Sequence, residues 1–175
     1  MSRAIQLHRV RNLSGHFARN LAYYRARLHD GVLLTPDSQF WRTSHGNCLD
    51  ICTLEWCKLF GSSRELYSWR KVVTDVAAFE MSLLNELEIT GADLASYVGE
   101  MRTFRDKFIA HLDEENIMNI PNYDLAWKSV KFYFAHVTNV EIPSANIEVH
   151  DDFSLEEYYQ KHFDEAATLY RSLPN

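Results

Sequence analysis

Apolar residues return along most of this chain at every third or fourth position, the period that lines one face of an α-helix. Val10, Leu13, Phe17, Leu21, Tyr24 and Leu28 form a first stripe, which stops at the helix-ending stretch His29-Asp30-Gly31. A second helix is expected to carry Phe40, Trp41, Cys48, Cys52, Trp56 and Leu59 and to end near Gly61. Ser62, with Glu65 a turn later, has the pattern of a cap for a third helix through Leu66, Trp69, Val73, Val76, Leu83 and Leu87. Thr90-Gly91-Ala92-Asp93 breaks the chain, and a fourth helix follows with Leu94, Val98, Met101, Arg105, Phe108 and Leu112 at 4, 3, 4, 3, 4 spacing. Pro121 and Asn122 mark the next turn, residues 123–137 read as a fifth helix, and 141–153 as a polar connector. Ser154 then caps a final acidic helix over 155–173. These elements predict an all-α fold in a single domain, 1–175. Its core is an up-and-down bundle of four or five helices within about 1–140, and its last helix, after the connector, is an accessory in about 141–175.

Composition narrows the class. With 46% hydrophobic and 13% aromatic residues the chain can build a core, so disorder is excluded. No apolar run approaches the ~20 residues a membrane span needs, so no membrane partner is expected. The N-terminal stretch lacks the apolar core of a signal peptide, and a cytoplasmic location is expected. Cys48, Cys52 and Cys57 read as free thiols buried in the second helix. They lack the fourth ligand and the close pairing of a zinc site, so no metal is expected, and no cofactor either.

Charge is unevenly spread. The first 29 residues hold six arginines and no carboxylate, so the remainder carries −12 against −6 for the whole chain. A cationic segment on an acidic body serves either an anionic ligand or the protein's own acidic elements, and both readings stay open. No Glu-x-x-His pair, Walker loop, H-E-x-x-H, G-x-S-x-G or G-x-G-x-x-G occurs, which sets aside di-iron, P-loop, metalloprotease, hydrolase and dinucleotide readings. His8, His16, His29, His45, His136, His150 and His162 show no convergent ligand spacing, and the aromatic run at 127–134 reads as core.

The fourth helix holds an anomaly: Arg105 takes a place in its apolar stripe. On a straight helix His111 lies about 9 Å further along and about 120° around, so the two can flank one site without touching. An unpaired buried guanidinium is costly, so Arg105 must meet a carboxylate, water or a ligand. Two copies of this helix across a two-fold axis would bring both arginines and both histidines together.

The stretch Phe104-Arg105-Asp106-Lys107-Phe108-Ile109-Ala110-His111-Leu112-Asp113, with Leu54-Glu55-Trp56-Cys57-Lys58-Leu59-Phe60-Gly61 upstream, resembles the abortive-infection-associated, toxin-like branch of the HEPN superfamily. The resemblance is sharp over about ten residues and loose over the rest. It implies an all-α bundle that forms a homodimer with the motif at the dimer cleft, and an activity as a metal-independent endoribonuclease, often the toxin of a toxin–antitoxin pair. It also implies Arg105 and His111 as catalytic residues and Asp106 as the polar residue beside the arginine. Some HEPN toxins carry a tyrosine, modified by the antitoxin, two positions after the histidine; here Asp113 stands there, so that regulation is not expected.

The chemistry suits RNA, whose 2′-hydroxyl is its own nucleophile. Histidine can move the protons near neutral pH, and arginine offers a permanent fork of donors to the phosphate, leaving a 2′,3′-cyclic phosphate. Lys107, Arg102, Arg11 and Arg19 are the expected RNA-binding residues, the last two on a cationic first helix able to guide the strand. That helix carries a second copy of the motif, Arg11, Asn12 and His16. The copy at Arg105 is preferred because its arginine lies in an apolar stripe, Lys107 adds a cation, the longer match surrounds it, and Gly15 interrupts the other. The alternative function is a non-catalytic HEPN-like dimer that binds a nucleotide or a protein partner.

Overall fold

The computed structural model of the chain describes residues 1–29, 32–36, 38–110, 119–148 and 152–173, with backbone alone at 29 and 108–110. The fold is all-α apart from one small hairpin. Helix α1 (Arg3–Ala26) starts at Ser2, whose hydroxyl accepts the Ile5 N–H, and leads into the hairpin β1 (Leu28–His29) and β2 (Val32–Leu33). These strands are antiparallel, with Leu28 opposite Leu33. The expected stripe thus ends one turn early, and Leu28 is exposed.

Helix α1 occupies the centre, packed mainly on α2 (Gln39–Trp56) and α8 (Leu155–Arg171). Val10, Leu13, Phe17 and Leu21 are buried as expected. A second row of small residues, Ser14, Gly15, Ala18, Ala22 and Ala26, is buried as well. Gly15 faces Phe153 and Tyr158, and Ala26 clusters with Ala166, Ala167 and Tyr170. Small side chains let the α8 backbone come close, so the last helix is a packed layer of the fold and not an accessory. Its expected cap is present: Ser154 Oγ accepts the Glu157 N–H at 3.2 Å.

Helix α2 widens after Trp56 into a π-helical turn, Cys57–Gly61. The expected third helix is divided. Ser62 makes a local turn with Arg64 and Glu65, and helix resumes only as α3 (Trp69–Val72) and α4 (Val76–Leu87), the latter capped by Asp75 on the Ala78 N–H. β-Branched Val72, Val73 and Thr74 disfavour continuous helix at the break. The Thr90–Asp93 stretch is a reciprocal capping box that starts α5 (Gly91–Phe104), which passes into a second π-helical turn, Arg105–Ala110. Helix α6 (Tyr123–His136) continues through a third, Val137–Glu141, into the short α7 (Ile142–Ser144).

One aromatic core joins these helices. Trp56 stacks on Phe60 at 5.1 Å and meets Tyr97 edge-on at 5.2 Å, while Tyr133 bridges Phe60 and Phe79. Burying each such ring contributes roughly 1.5–3 kcal/mol. Their polar atoms are matched: Trp56 Nε1 donates to Ser129 Oγ at 2.9 Å, and the Tyr133 hydroxyl to the Tyr67 carbonyl at 3.0 Å. The connector is not wholly polar surface, because Ile142 is buried and Glu141 is a buried hub. Its carboxylate accepts from Arg3 at 2.6 Å, the Thr74 N–H at 2.8 Å and the Thr74 hydroxyl at 2.7 Å, with His136 at 3.1 Å. Among the described residues no helix is long and apolar enough to cross a membrane.

Candidate functional site

Helix α5 buries Leu94, Tyr97, Met101 and Phe104, a 3, 4, 3 spacing. The core position expected for Arg105 belongs to Phe104, and Val98 is half-buried at the edge. Arg105 sits beside that seam with its side chain 25% exposed, at the point where α5 widens. Asp106 Oδ1 receives both Nε and a terminal nitrogen of Arg105, each at 2.8 Å. That hydrogen bond, outweighing partial desolvation, raises the Arg105 pKa above its already high usual value, so the group stays charged. The carboxylate that the guanidinium required is therefore its own neighbour. Arg102, in α5, stands one helical turn behind Asp106.

The second element at this place is the wide turn ending α2. Gly61 leaves room there: a Cβ on it would lie 3.2 Å from Cys57 Cβ and 3.8 Å from Arg102 Cγ. Burial pushes the Cys57 thiol up to about 11, while the nearby charges of Arg105 and Arg102 pull the other way. Arg102 is exposed and Lys107 half-buried, so Arg102, Arg105, Asp106 and Lys107 occupy one short stretch of surface. His111 and Asp113 lie outside the described residues, as do Leu112 and the side chain of Phe108.

Arg11 and Arg19 belong elsewhere. They line a cavity of about 250 Å³ between α1 and the start of α8, together with His8, Asn12, His16 and the rings of Phe153 and Tyr158. Arg11 is 7% exposed, and its guanidinium lies 5.7 Å from the Phe134 ring centre and 5.9 Å from that of Phe153. His16 Nδ1 is 3.6 Å from Glu55, a buried α2 carboxylate that also accepts from Lys58 at 2.8 Å. Gly15 does not interrupt α1, which runs unbroken through it; the missing side chain instead opens the cavity wall toward Phe153 and Tyr158. No family model, curated protein or solved structure matches the chain.

The two Arg-containing motifs thus both approach the end of α2 and the turn after it, His16 through Glu55 and the Arg102–Arg105 stretch through Cys57 and Gly61. Sequence reasoning missed the cavity, although a signal was present. His8, Arg11, Asn12, Gly15, His16 and Arg19 recur at three- and four-residue steps, one polar helical face with a gap in it. The three cysteines are free, but only Cys52 and Cys57 are buried; Cys48 is partly exposed, and Cys57 lies in the wide turn beyond α2. Among the described residues no three His, Cys, Asp or Glu side chains gather in a ligand set.

Proposed function

We propose that this protein is a metal-independent endoribonuclease of HEPN type, acting as a cytoplasmic homodimer and as the toxin of a toxin–antitoxin or abortive-infection system. The observation that carries the reading is the Arg105–Asp106 unit. A permanently charged guanidinium is held beside the core by a neighbouring carboxylate at two of its nitrogens. A guanidinium has five N–H donors, so a phosphate can be engaged while Asp106 fixes the plane of the group. The π-helical turn that starts at Arg105 supports the same reading, since such turns occur often at functional sites.

In this mechanism the α5 segment and the turn after it face their copies across a two-fold axis, bringing two Arg105 and two His111 side chains to one cleft. One His111 takes the proton from the ribose 2′-hydroxyl, and the other protonates the departing 5′-oxygen. Both Arg105 groups neutralise the crowded phosphate, while Arg102 and Lys107 hold the flanking backbone. The products carry 2′,3′-cyclic phosphate and 5′-hydroxyl ends. The test is incubation of the purified protein with structured RNA in chelator, followed by analysis of the ends, beside light scattering at micromolar concentration. Cyclic phosphate ends from a dimer support the proposal. A dimer that leaves RNA intact replaces it with the non-catalytic HEPN-like dimer, and a monomer overturns both readings.

A further inference from the structure

We propose that the cavity between α1 and the start of α8 is a binding site for a phosphate monoester carried on a small ring-bearing molecule, the chemistry of a free mononucleotide or of a phosphorylated RNA end. The site is separate from the Arg105–Asp106 unit, and the proposal stands whether or not RNA is cut. Three observations point to this ligand. The cavity combines two guanidinium side chains, Arg11 and Arg19, with the imidazoles of His8 and His16 and the amide of Asn12, a set rich in donors for a dianion. Its other wall is aromatic, with Phe153 and Tyr158 5.1 Å apart and tilted against each other, which suits a flat ring beside the anion. Its volume of about 250 Å³ falls just below the ~300–1,000 Å³ of typical ligand pockets, which favours a small ligand over a large one.

Arginines run along the whole of α1. Arg3 and Arg25, near the two ends of α1, form ion pairs with Glu141 and Asp124. Arg11 and Arg19, between them, line the cavity. Arg11 is set deep, against Phe134 and Phe153, where water is scarce and a charge–phosphate contact gains most. Gly15 lines this space, and a Cβ added there meets Phe153 at 3.9 Å and Tyr158 at 4.0 Å, ordinary contacts. A longer side chain at that position extends toward these two rings, into the space the cavity occupies.

The experiment is calorimetric titration of the full chain with adenosine 5′-monophosphate, adenosine, and a short 2′-O-methyl oligonucleotide with and without a 5′-phosphate, the methyl groups preventing cleavage. Wild type should bind the monophosphate, or bind the phosphorylated oligonucleotide more tightly than the unphosphorylated one, and should ignore adenosine. Arg19→Ala, on the cavity rim, should weaken binding about tenfold or more. Gly15→Leu should abolish it while keeping the melting temperature and helical content of wild type. The monophosphate binding alone identifies a free nucleotide as the source, and the phosphorylated strand binding alone identifies an RNA end. No binding of either at millimolar concentration overturns the proposal. So does monophosphate binding that Gly15→Leu, folded like wild type, leaves unchanged, or equal binding of the two strands by a protein that does not bind the monophosphate.

Discussion

Glu141 is the most heavily engaged carboxylate among the described residues, and its removal should cost a large part of the fold's stability. Its side chain is 2% exposed and ties α1, the break between α3 and α4, and the end of α6 through Arg3, Thr74 and His136. In Glu141→Ala the Thr74 N–H and hydroxyl lose their acceptor; Thr74 itself is exposed and water can replace the carboxylate, so each bond lost costs ~0.5–1.5 kcal/mol. Arg3 is about one-third exposed, so its loss adds at most ~1 kcal/mol. The expected total is ~1–4 kcal/mol, against ~5–15 kcal/mol for a whole domain. Glu141→Gln keeps an acceptor for the Thr74 N–H and should lose about half as much. Burial alone would raise the Glu141 pKa, but the Thr74 bonds, His136 and the Arg3 charge outweigh it and hold the group below its usual value. Its stabilising effect is therefore complete above the pKa of an unfolded glutamate and fades as pH falls from about 5 toward the depressed folded value. Urea unfolding at a series of pH values measures this. The gap between wild type and Glu141→Gln should shrink with acid. An Ala variant within ~0.5 kcal/mol of wild type at pH 7, or a gap that widens with acid, refutes the reasoning.

Other expectations follow from single contacts. Cys48 should react with a thiol reagent before Cys57, whose pKa near 11 leaves about one thiolate in a thousand at pH 8, and equal labelling rates in the native state would contradict the burial described. Tyr133→Phe, which strands the Tyr67 carbonyl, should lower unfolding free energy by ~1–2 kcal/mol in urea. Asp106→Ala should leave stability within ~1 kcal/mol, since its side chain is more than half exposed, yet reduce RNA cleavage about tenfold or more by releasing the Arg105 plane.

Large apolar residues made the helices legible. Val10, Phe17 and Leu21 are where their spacing put them, and so is the Ser154 cap. What escaped was carried by residues with little apolar area. Ser14, Gly15, Ala18 and Ala22 look neutral in a hydrophobic pattern, yet all are buried, and Gly15 with Ala26 makes the close contacts to the last helix and its start. The seam of α5 was misread by one residue because Val98 and Arg105 share a spacing with Leu94 and Met101 that Tyr97 and Phe104 fit equally well. The seam follows Tyr97, packed edge-on against Trp56, and Phe104 one helical repeat later. The π-helical turns after Trp56, Phe104 and His136 have no local signature. The cationic cavity needed Phe153 and Tyr158, which meet Arg11 and His16 only through long-range folding, so its aromatic wall could not be read from the first helix.

The central claim, that Arg105 and His111 cut RNA, rests most directly on one comparison. Wild type, Arg105→Ala and His111→Ala should be assayed on one structured RNA in chelator, each with its melting curve. Wild type should yield 2′,3′-cyclic phosphate ends, and each variant should lose ~10²–10⁴ in rate while melting within a few degrees of wild type. Wild-type protein that leaves the RNA intact, or variants that cleave at the wild-type rate, would contradict it.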